Sequence, residues 1–117
     1  MPDRNSSNQS PASPDLEQLE RKKLVGETAK IRWRELEVFF ARGVVIYVAT
    51  HLDLVNVAWE ISRDNTAQLQ AWIDDGELLR EFDTQASAWS STDASVWSVV
   101  VKPWVLVQAI PDKQVLN

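Results

Sequence analysis

The chain has 117 residues, no cysteine, one histidine and a formal net charge of −5. The lack of cysteine excludes disulfide scaffolds, zinc–thiolate sites and thiol nucleophiles, and it favours a reducing, cytoplasmic location. With 44% hydrophobic residues, the chain is expected to form a single core. No apolar stretch approaches the roughly 18 residues of a membrane span, so we expect no membrane partner.

The amino-terminal segment predicts a tail followed by one domain. Residues 1–12 are rich in Ser, Asn and Pro and offer almost nothing to bury, so they are predicted to stay disordered. Residues 13–117 are assigned to a single domain. Ser13 is the predicted N-cap of a first helix that continues to about Ile31.

Three further helix boundaries follow from capping signals. A second, short helix from about Trp33 to Arg42 is predicted to end at Gly43 in a left-handed conformation. Thr50 begins a capping pattern for a third helix to about Arg63, and Asn65 with Gln68 begins a fourth. Gly76 is expected to end that fourth helix near Asp75.

Two strands and a fifth helix complete the middle of the chain. Val44–Ala49 is apolar on both faces, which is typical of a central strand that helices cover on both sides. Glu77–Phe82 predicts a more polar strand. Asp83 is expected to cap a short helix from Thr84 to about Ser90.

The longest apolar run is VWSVVVKPWVLVQAI, residues 96–110. One straight strand of that length would span roughly 50 Å, more than the ~33 Å diameter expected of a domain of this size. We place the bend at Lys102–Pro103, because proline cannot donate to a sheet ladder. A two-residue hairpin is not expected there, since the favoured turns need a positive φ that proline cannot adopt.

We therefore predict one long carboxyl-terminal strand with a kink at Lys102–Pro103 and two faces of different polarity. An apolar face is expected in the core and consists of Trp97, Val99, Val101, Val105, Val107 and Ala109. A mixed face is expected to be partly covered and consists of Ser98, Val100, Lys102, Trp104, Leu106 and Gln108. The predicted class is therefore α+β, with a small three-stranded sheet and five helices.

Four motifs in residues 31–110 carry a family resemblance. They are I-x-W-x-E-L-x-x-F-F-A-x-G from Ile31, L-D-L-V-x-V-A from Leu52, A-W-I-x-x-G from Ala71 and V-V-V-x-P-W-V-L-V-Q from Val99. The chain resembles small bacterial proteins known by the label domain of unknown function 2288. The resemblance implies a small cytoplasmic bacterial protein and brings no activity, cofactor or catalytic residue with it.

Most chemistries that need several specialised residues are excluded. His51 is the one histidine, so a histidine metal cluster cannot form, and its place at a helix start disfavours its protonated form. The three glycines stand alone, so no phosphate-binding loop is possible and no cofactor is predicted. The fourth helix has no Lys or Arg, which argues against nucleic acid as a partner.

The acidic residues Asp53, Glu60 and Asp64 share one face of the third helix. They could chelate a cation or dock a basic partner, but a solvated helix face explains them more simply, and no metal site is predicted. The charge is uneven, because residues 43–117 hold four basic and ten acidic side chains.

Two functional hypotheses remain. The first is a non-enzymatic interaction module that forms a homodimer or binds a protein partner through the surface around Trp104 and Leu106. The second is a small-molecule binding or catalytic domain whose pocket contains Trp59 with Asp53 or Glu60. No residue is assigned a catalytic role, and the absence of catalytic combinations favours the first hypothesis.

Overall fold

The computed structural model describes residues 14–111. The predicted tail 1–12, the predicted cap Ser13 and residues 112–117 lie outside the described part. The helices and strands follow in this order: α1 (Pro14–Glu27), β1 (Ala29–Arg32), a 3₁₀ helix (Trp33–Leu36), α2 (Glu37–Ala41), β2 (Val45–Val48), α3 (Leu54–Ser62), α4 (Thr66–Asp74), β3 (Leu78–Leu79), α5 (Asp83–Thr92), β4 (Ser95–Val101) and β5 (Trp104–Ala109).

The strands form one mixed sheet in the order β1-β4-β5-β2-β3. β2 pairs with β5 in parallel, and every other neighbouring pair is antiparallel. The α+β class with five α-helices is confirmed, but the expected three-stranded sheet is wrong, because the sheet has five strands. One additional strand is β1, which follows α1 after a single residue and occupies the positions predicted as the end of the first helix.

The other additional strand arises at Lys102–Pro103. The expected kink is a complete reversal, since β4 and β5 pair antiparallel from Val96 opposite Ala109 to Val101 opposite Trp104. The expectation considered only turns with positive φ. Proline also occupies the second loop position of type VI turns, which contain a cis peptide bond, and the Lys102–Pro103 bond is cis.

The reversal changes which residues share a face. Directly paired residues point to the same side of a sheet, so Val99 lies beside Leu106 and Trp97 beside Gln108. The two predicted faces of a single strand are therefore wrong. Trp97, expected in the core, is 38% exposed, whereas Leu106, expected on the partly covered face, is completely buried.

Helices cover both faces of the sheet and produce two apolar clusters. The first joins α1, α3 and α4 to one face through Leu24, Leu54, Val57, Ala58, Trp72, Ile46, Val48, Leu78, Val99 and Leu106. The second joins the 3₁₀ helix and α5 to the other face through Trp33, Leu36, Phe82, Ala86, Trp89, Val45, Val96, Val105 and Val107. β2 contributes to both clusters, as expected of an inner strand covered on both sides.

The helix ends follow local capping rules in some places and depart from them in others. Gly43 and Gly76 have positive φ angles of 78° and 75°, and the Asn65 side chain accepts from the Gln68 amide, as predicted. Asp53, not Thr50, is the N-cap of α3. Asp83 is the first residue of α5, with no side-chain cap bond at the preceding position. Within residues 14–111, the helices are too short or too polar to cross a membrane.

Candidate functional site

An open groove of about 810 Å³ lies at the β3 end of the sheet. Its walls come from α3 and α4, from β2 and β3, and from the first residue of β5. The lining residues are Gly43, Ile46, Ile61, Leu69, Ile73, Leu78, Leu79, Arg80, Glu81 and Trp104. We call this site the Trp104 groove. Its volume lies within the roughly 300–1,000 Å³ of typical ligand sites.

The groove is apolar except at one rim. Arg80 and Glu81 are its charged lining residues, and both are exposed to solvent. The apolar lining includes Ile73 of α4, whose side chain is 51% exposed although it is large and branched. An apolar surface with a charged rim is the arrangement found in the centre of many protein interfaces.

Arg80 covers the half-buried indole of Trp104. Its guanidinium carbon lies 5.0 Å from the centroid of the Trp104 ring. One guanidinium N–H donates to the Gly43 carbonyl at 2.9 Å, which holds the side chain in place across the start of β2. A cation over an exposed indole contributes roughly 0.5–1 kcal/mol. The Arg80 side chain therefore packs against the Trp104 ring within the groove lining.

The groove lies next to an open edge of the sheet. β3 is the outermost strand and pairs with β2 alone, through Leu79 opposite Tyr47 and Leu78 opposite Val48. Its outer side faces no other strand among residues 14–111. An unpaired strand edge presents backbone N–H and C=O groups to a further polypeptide.

The structure separates the predicted contact residues. Trp104 lines the groove, whereas Leu106 is completely buried in the first cluster and offers no surface to a partner. Asp53, Trp59 and Glu60 all lie in or next to α3 and do not line the groove. Asp53 and Glu60 are seven positions apart, about 10 Å along a helix, so the two carboxylates do not converge.

The predicted carboxylates have structural partners. Asp53 accepts from the Val55 amide at 3.0 Å and the Asn56 amide at 3.4 Å, which caps α3. Glu60 accepts from the Asn65 side-chain amide at 2.8 Å and links the end of α3 to the start of α4. Both side chains therefore stabilise helix ends in the described structure.

Trp59 belongs to the contact between α1 and α3. The guanidinium carbons of Arg21 and Arg63 lie 5.5 Å and 5.8 Å from its ring centroid. Arg21 also donates to Asn56 at 3.0 Å, which ties α1 to α3. The indole Nε1 of Trp59 is buried without a hydrogen-bond partner among the described residues. Trp59 is thus part of the contact between α1 and α3 and does not line the Trp104 groove.

Metal-ligand geometry is not present in the described part of the chain. No group of three or more His, Cys, Asp or Glu side chains among residues 14–111 is placed to hold an ion. His51 lies at the protein surface, where its Nε2 is 2.6 Å from a carboxylate oxygen of Glu77. This contact connects the loop before α3 to the start of β3.

Most groove residues were not identified from the sequence. Ile61, Leu69, Ile73 and Leu78 fall within predicted helices and a predicted strand, where a local apolar period does not distinguish a groove wall from a core position. The sequence feature that could have pointed to this part of the surface was its charge, because residues 64–83 contain six acidic side chains and one basic side chain. The acidic residues are Asp64, Asp74, Asp75, Glu77, Glu81 and Asp83, and the basic residue is Arg80.

Comparisons with known proteins extend over nearly the whole fold. Residues 19–109 match a family model described as protein of unknown function (DUF2288). The chain is also similar to a protein whose structure is described as the NMR solution structure of PA1075 from Pseudomonas aeruginosa, with 38% sequence identity and a TM-score of 0.70. That similarity covers 89% of this chain and 93% of the other. No curated protein matches the chain.

Proposed function

Because the chain belongs to the family of proteins of unknown function DUF2288, a membership that supplies no activity, we propose a function from the surface that the fold leaves open. The protein is a non-enzymatic interaction module that binds a polypeptide segment of a partner protein in the Trp104 groove. Its role is to recognise that segment.

The observation that carries this proposal is the exposed apolar side chain of Ile73 in the same groove as the half-buried ring of Trp104. Ile73 is 51% exposed, Trp104 is half-buried, and the two line the same groove. Large apolar surface in water is unfavourable by about 25 cal/mol per Å², so a partner that covers it gains that free energy. Trp is also enriched among residues that dominate binding energies at protein interfaces.

A second candidate function is the binding of a small amphipathic molecule. The groove volume of about 810 Å³ fits such a ligand, and the Arg80 guanidinium over Trp104 could orient an anionic group. The polypeptide is favoured because the groove continues into the unpaired edge of β3, a feature that a polypeptide uses and a small molecule does not.

Site-specific photo-crosslinking tests the proposal. A photoreactive phenylalanine analogue is placed at Ile73 in the groove, and the matched control carries it at Val38 on α2, outside the groove. The two side chains are 51% and 52% exposed and both lie in or beside helices, so the probes have similar access to solvent. Irradiation in living cells is expected to give a defined polypeptide adduct from the Ile73 position and none from the Val38 position.

Two other results would contradict the proposal. Adducts of equal yield from both positions would indicate non-specific contact. The absence of any polypeptide adduct, together with a co-purifying small molecule detected by native mass spectrometry and displaced by Ile73→Asp, would establish the second candidate function.

A further inference from the structure

We infer that the segment bound in the Trp104 groove is an extended polypeptide of alternating apolar and basic residues, which adds to the sheet as a new strand beside β3. This inference rests on the proposed function and specifies the partner's chemistry and its mode of binding. Three independent features of the described residues carry it: the β3 edge, the adjoining groove and the local charge.

The first feature is the direction of the backbone groups in β3. The Ala49 amide donates to the Glu77 carbonyl at 2.9 Å, so the Glu77 carbonyl points inward, towards the β2 side. Hydrogen-bonding direction alternates along an antiparallel strand, and Leu78 therefore directs its N–H and C=O outward. A polypeptide beside β3 can pair with these groups, which is the main source of affinity in strand addition.

The two edges of the sheet differ in how they are protected. β1, at the other edge, carries the exposed basic side chains Lys30 and Arg32 within its four residues. Charged side chains on an edge strand hinder pairing with another chain. β3 consists of Leu78 and Leu79, and neither is charged. β3 therefore lacks, within the strand itself, the charged side chains that protect β1, and it adjoins the Trp104 groove.

The second feature is the position of the groove relative to that edge. Leu78 belongs to the first cluster, and Ile46, Leu69 and Trp104 belong to or pack against the same cluster. Leu78 and these residues also line the groove. Every second side chain of a strand beside β3 points to this face of the sheet. Those side chains must be apolar to fill the groove without burying an unpaired polar group.

The third feature is the charge of the surroundings. Six carboxylates and one guanidinium occur in residues 64–83, which gives this segment a formal charge of −5, equal to that of the whole chain. Glu81 lines the groove, while Asp74 and Asp75 directly follow Ile73 and are exposed. Lys or Arg at the remaining positions, which point to the opposite face of the sheet, would give the partner strand a positive charge that the whole acidic segment attracts at longer range, whereas Asp or Glu would be repelled.

A defined peptide probe tests the inference with the full chain. The probe is a peptide of about eight alternating isoleucine and lysine residues with blocked ends, ~26 Å long when extended. It is titrated into the ¹⁵N-labelled protein while the amide and indole NMR signals are followed. Saturable shifts are expected at Leu78, Leu79, Arg80 and the Trp104 indole, with no comparable shifts along β1.

Matched probes separate backbone pairing from charge. Methylation of the peptide at either its isoleucine or its lysine nitrogens removes one set of N–H donors and keeps all side chains. One of the two methylated peptides is expected to bind at least about tenfold more weakly, and the other is expected to keep most of the affinity, since one set faces β3 and the other faces solvent. A peptide with glutamate in place of lysine should also lose at least about tenfold, and Glu81→Lys should reduce that difference.

Each contrary outcome identifies the step that fails. Equal binding of the unmethylated and both methylated peptides would exclude strand addition. Equal binding of the lysine and glutamate peptides would exclude a basic partner. Failure of every peptide to give saturable shifts would overturn the inference while the crosslinking result at Ile73 still decides the proposed function. Crosslinking failure together with peptide binding would show a peptide-binding edge that cells do not use.

Discussion

The carboxylate of Asp53 accepts the amides of Val55 and Asn56 at the first turn of α3, where the helix otherwise leaves its N–H groups without partners. The same side chain is exposed and was predicted to share a helix face with Glu60 and Asp64, which is why it also fits a metal-binding hypothesis from the sequence. Capping requires a short side chain with an oxygen acceptor, whereas cation binding requires several converging carboxylates. A substitution that keeps a capping oxygen but removes the carboxylate therefore distinguishes helix capping from cation binding.

Asp53→Ala is expected to destabilise the protein by about 1 kcal/mol, the usual cost of losing an N-cap. For a chain of this size that corresponds to a fall in Tm of about 4 °C. Asp53→Ser is the matched control, because a serine hydroxyl can cap the helix without providing a carboxylate, so its Tm should stay near that of the natural chain. Thermal unfolding is measured with and without millimolar Mg²⁺, Ca²⁺ or Mn²⁺. Saturable stabilisation by one of these ions that Asp53→Ser abolishes would show that Asp53 binds a metal.

At the scale of the helix, two glycines near helix ends, Gly26 and Gly76, differ in backbone conformation. Gly76 follows α4 with a φ of 75°, in the left-handed region that favours glycine, and an added Cβ would meet nothing within 4 Å. Gly26 lies inside α1 near its carboxyl end, and an added Cβ there also meets nothing within 4 Å. The two positions therefore differ in backbone conformation and not in available space.

Alanine at these two positions should change stability in opposite directions. Gly26→Ala is expected to raise the free energy of unfolding by about 0.5 kcal/mol, because alanine loses less conformational freedom than glycine when a helix forms. Gly76→Ala is expected to lower it by roughly 1–2 kcal/mol, the cost of a left-handed conformation for a residue with a Cβ. Urea denaturation of both variants measures the difference. A decrease of similar size in both would mean that Gly26 has a role that its open surroundings do not reveal.

Helix ends that depend on neighbouring residues could be predicted from the sequence, whereas strands that depend on distant pairing could not. The ends at Gly43 and Gly76 and the cap at Asn65 follow from one or two neighbouring residues, and the structure agrees with them. β1 was missed because Ala29–Arg32 directly continues a helical sequence, and it becomes a strand through pairing with the distant β4. The hairpin at Pro103 was missed because the reversal depends on the pairing of β4 with β5, which the two loop residues alone do not indicate.

At the scale of the whole molecule, the groove is a product of topology. Ile46, Ile61, Ile73 and Trp104 come from β2, α3, α4 and β5, and they meet because β5 pairs in parallel with β2 while α4 leads into the edge strand. Local periodicity indicates that each residue is apolar and on an inner face, but it does not indicate that these faces leave a space between them. Trp104 was predicted as a contact residue from the mixed face of a single strand, and the hairpin replaces that face, so its place in the groove lining comes from the pairing of β5 with β2.

The charge of the molecule bears on which of two occupants, a second copy or a different protein, fills the groove. Each chain carries a net charge of −5, and residues 64–83 alone account for a charge of that size. Two copies joined edge to edge through β3 would bring these segments together and would repel each other at low and moderate salt. A partner with Lys and Arg on its strand would be attracted instead, which is the reason for preferring a different protein.

We therefore expect the chain alone to be monomeric at ~100 µM, a concentration that would reveal a dimer with a micromolar Kd. Size-exclusion chromatography coupled to light scattering measures this at about 0.15 M salt, where the screening length is about 8 Å and charges on facing edges still interact. Ile73→Asp and Val38→Asp serve as the matched pair, because their side chains are 51% and 52% exposed and only Ile73 lines the groove. A dimer that Ile73→Asp abolishes and Val38→Asp preserves would mean that the groove binds a second copy despite the repulsion, so that apolar burial outweighs charge at this edge.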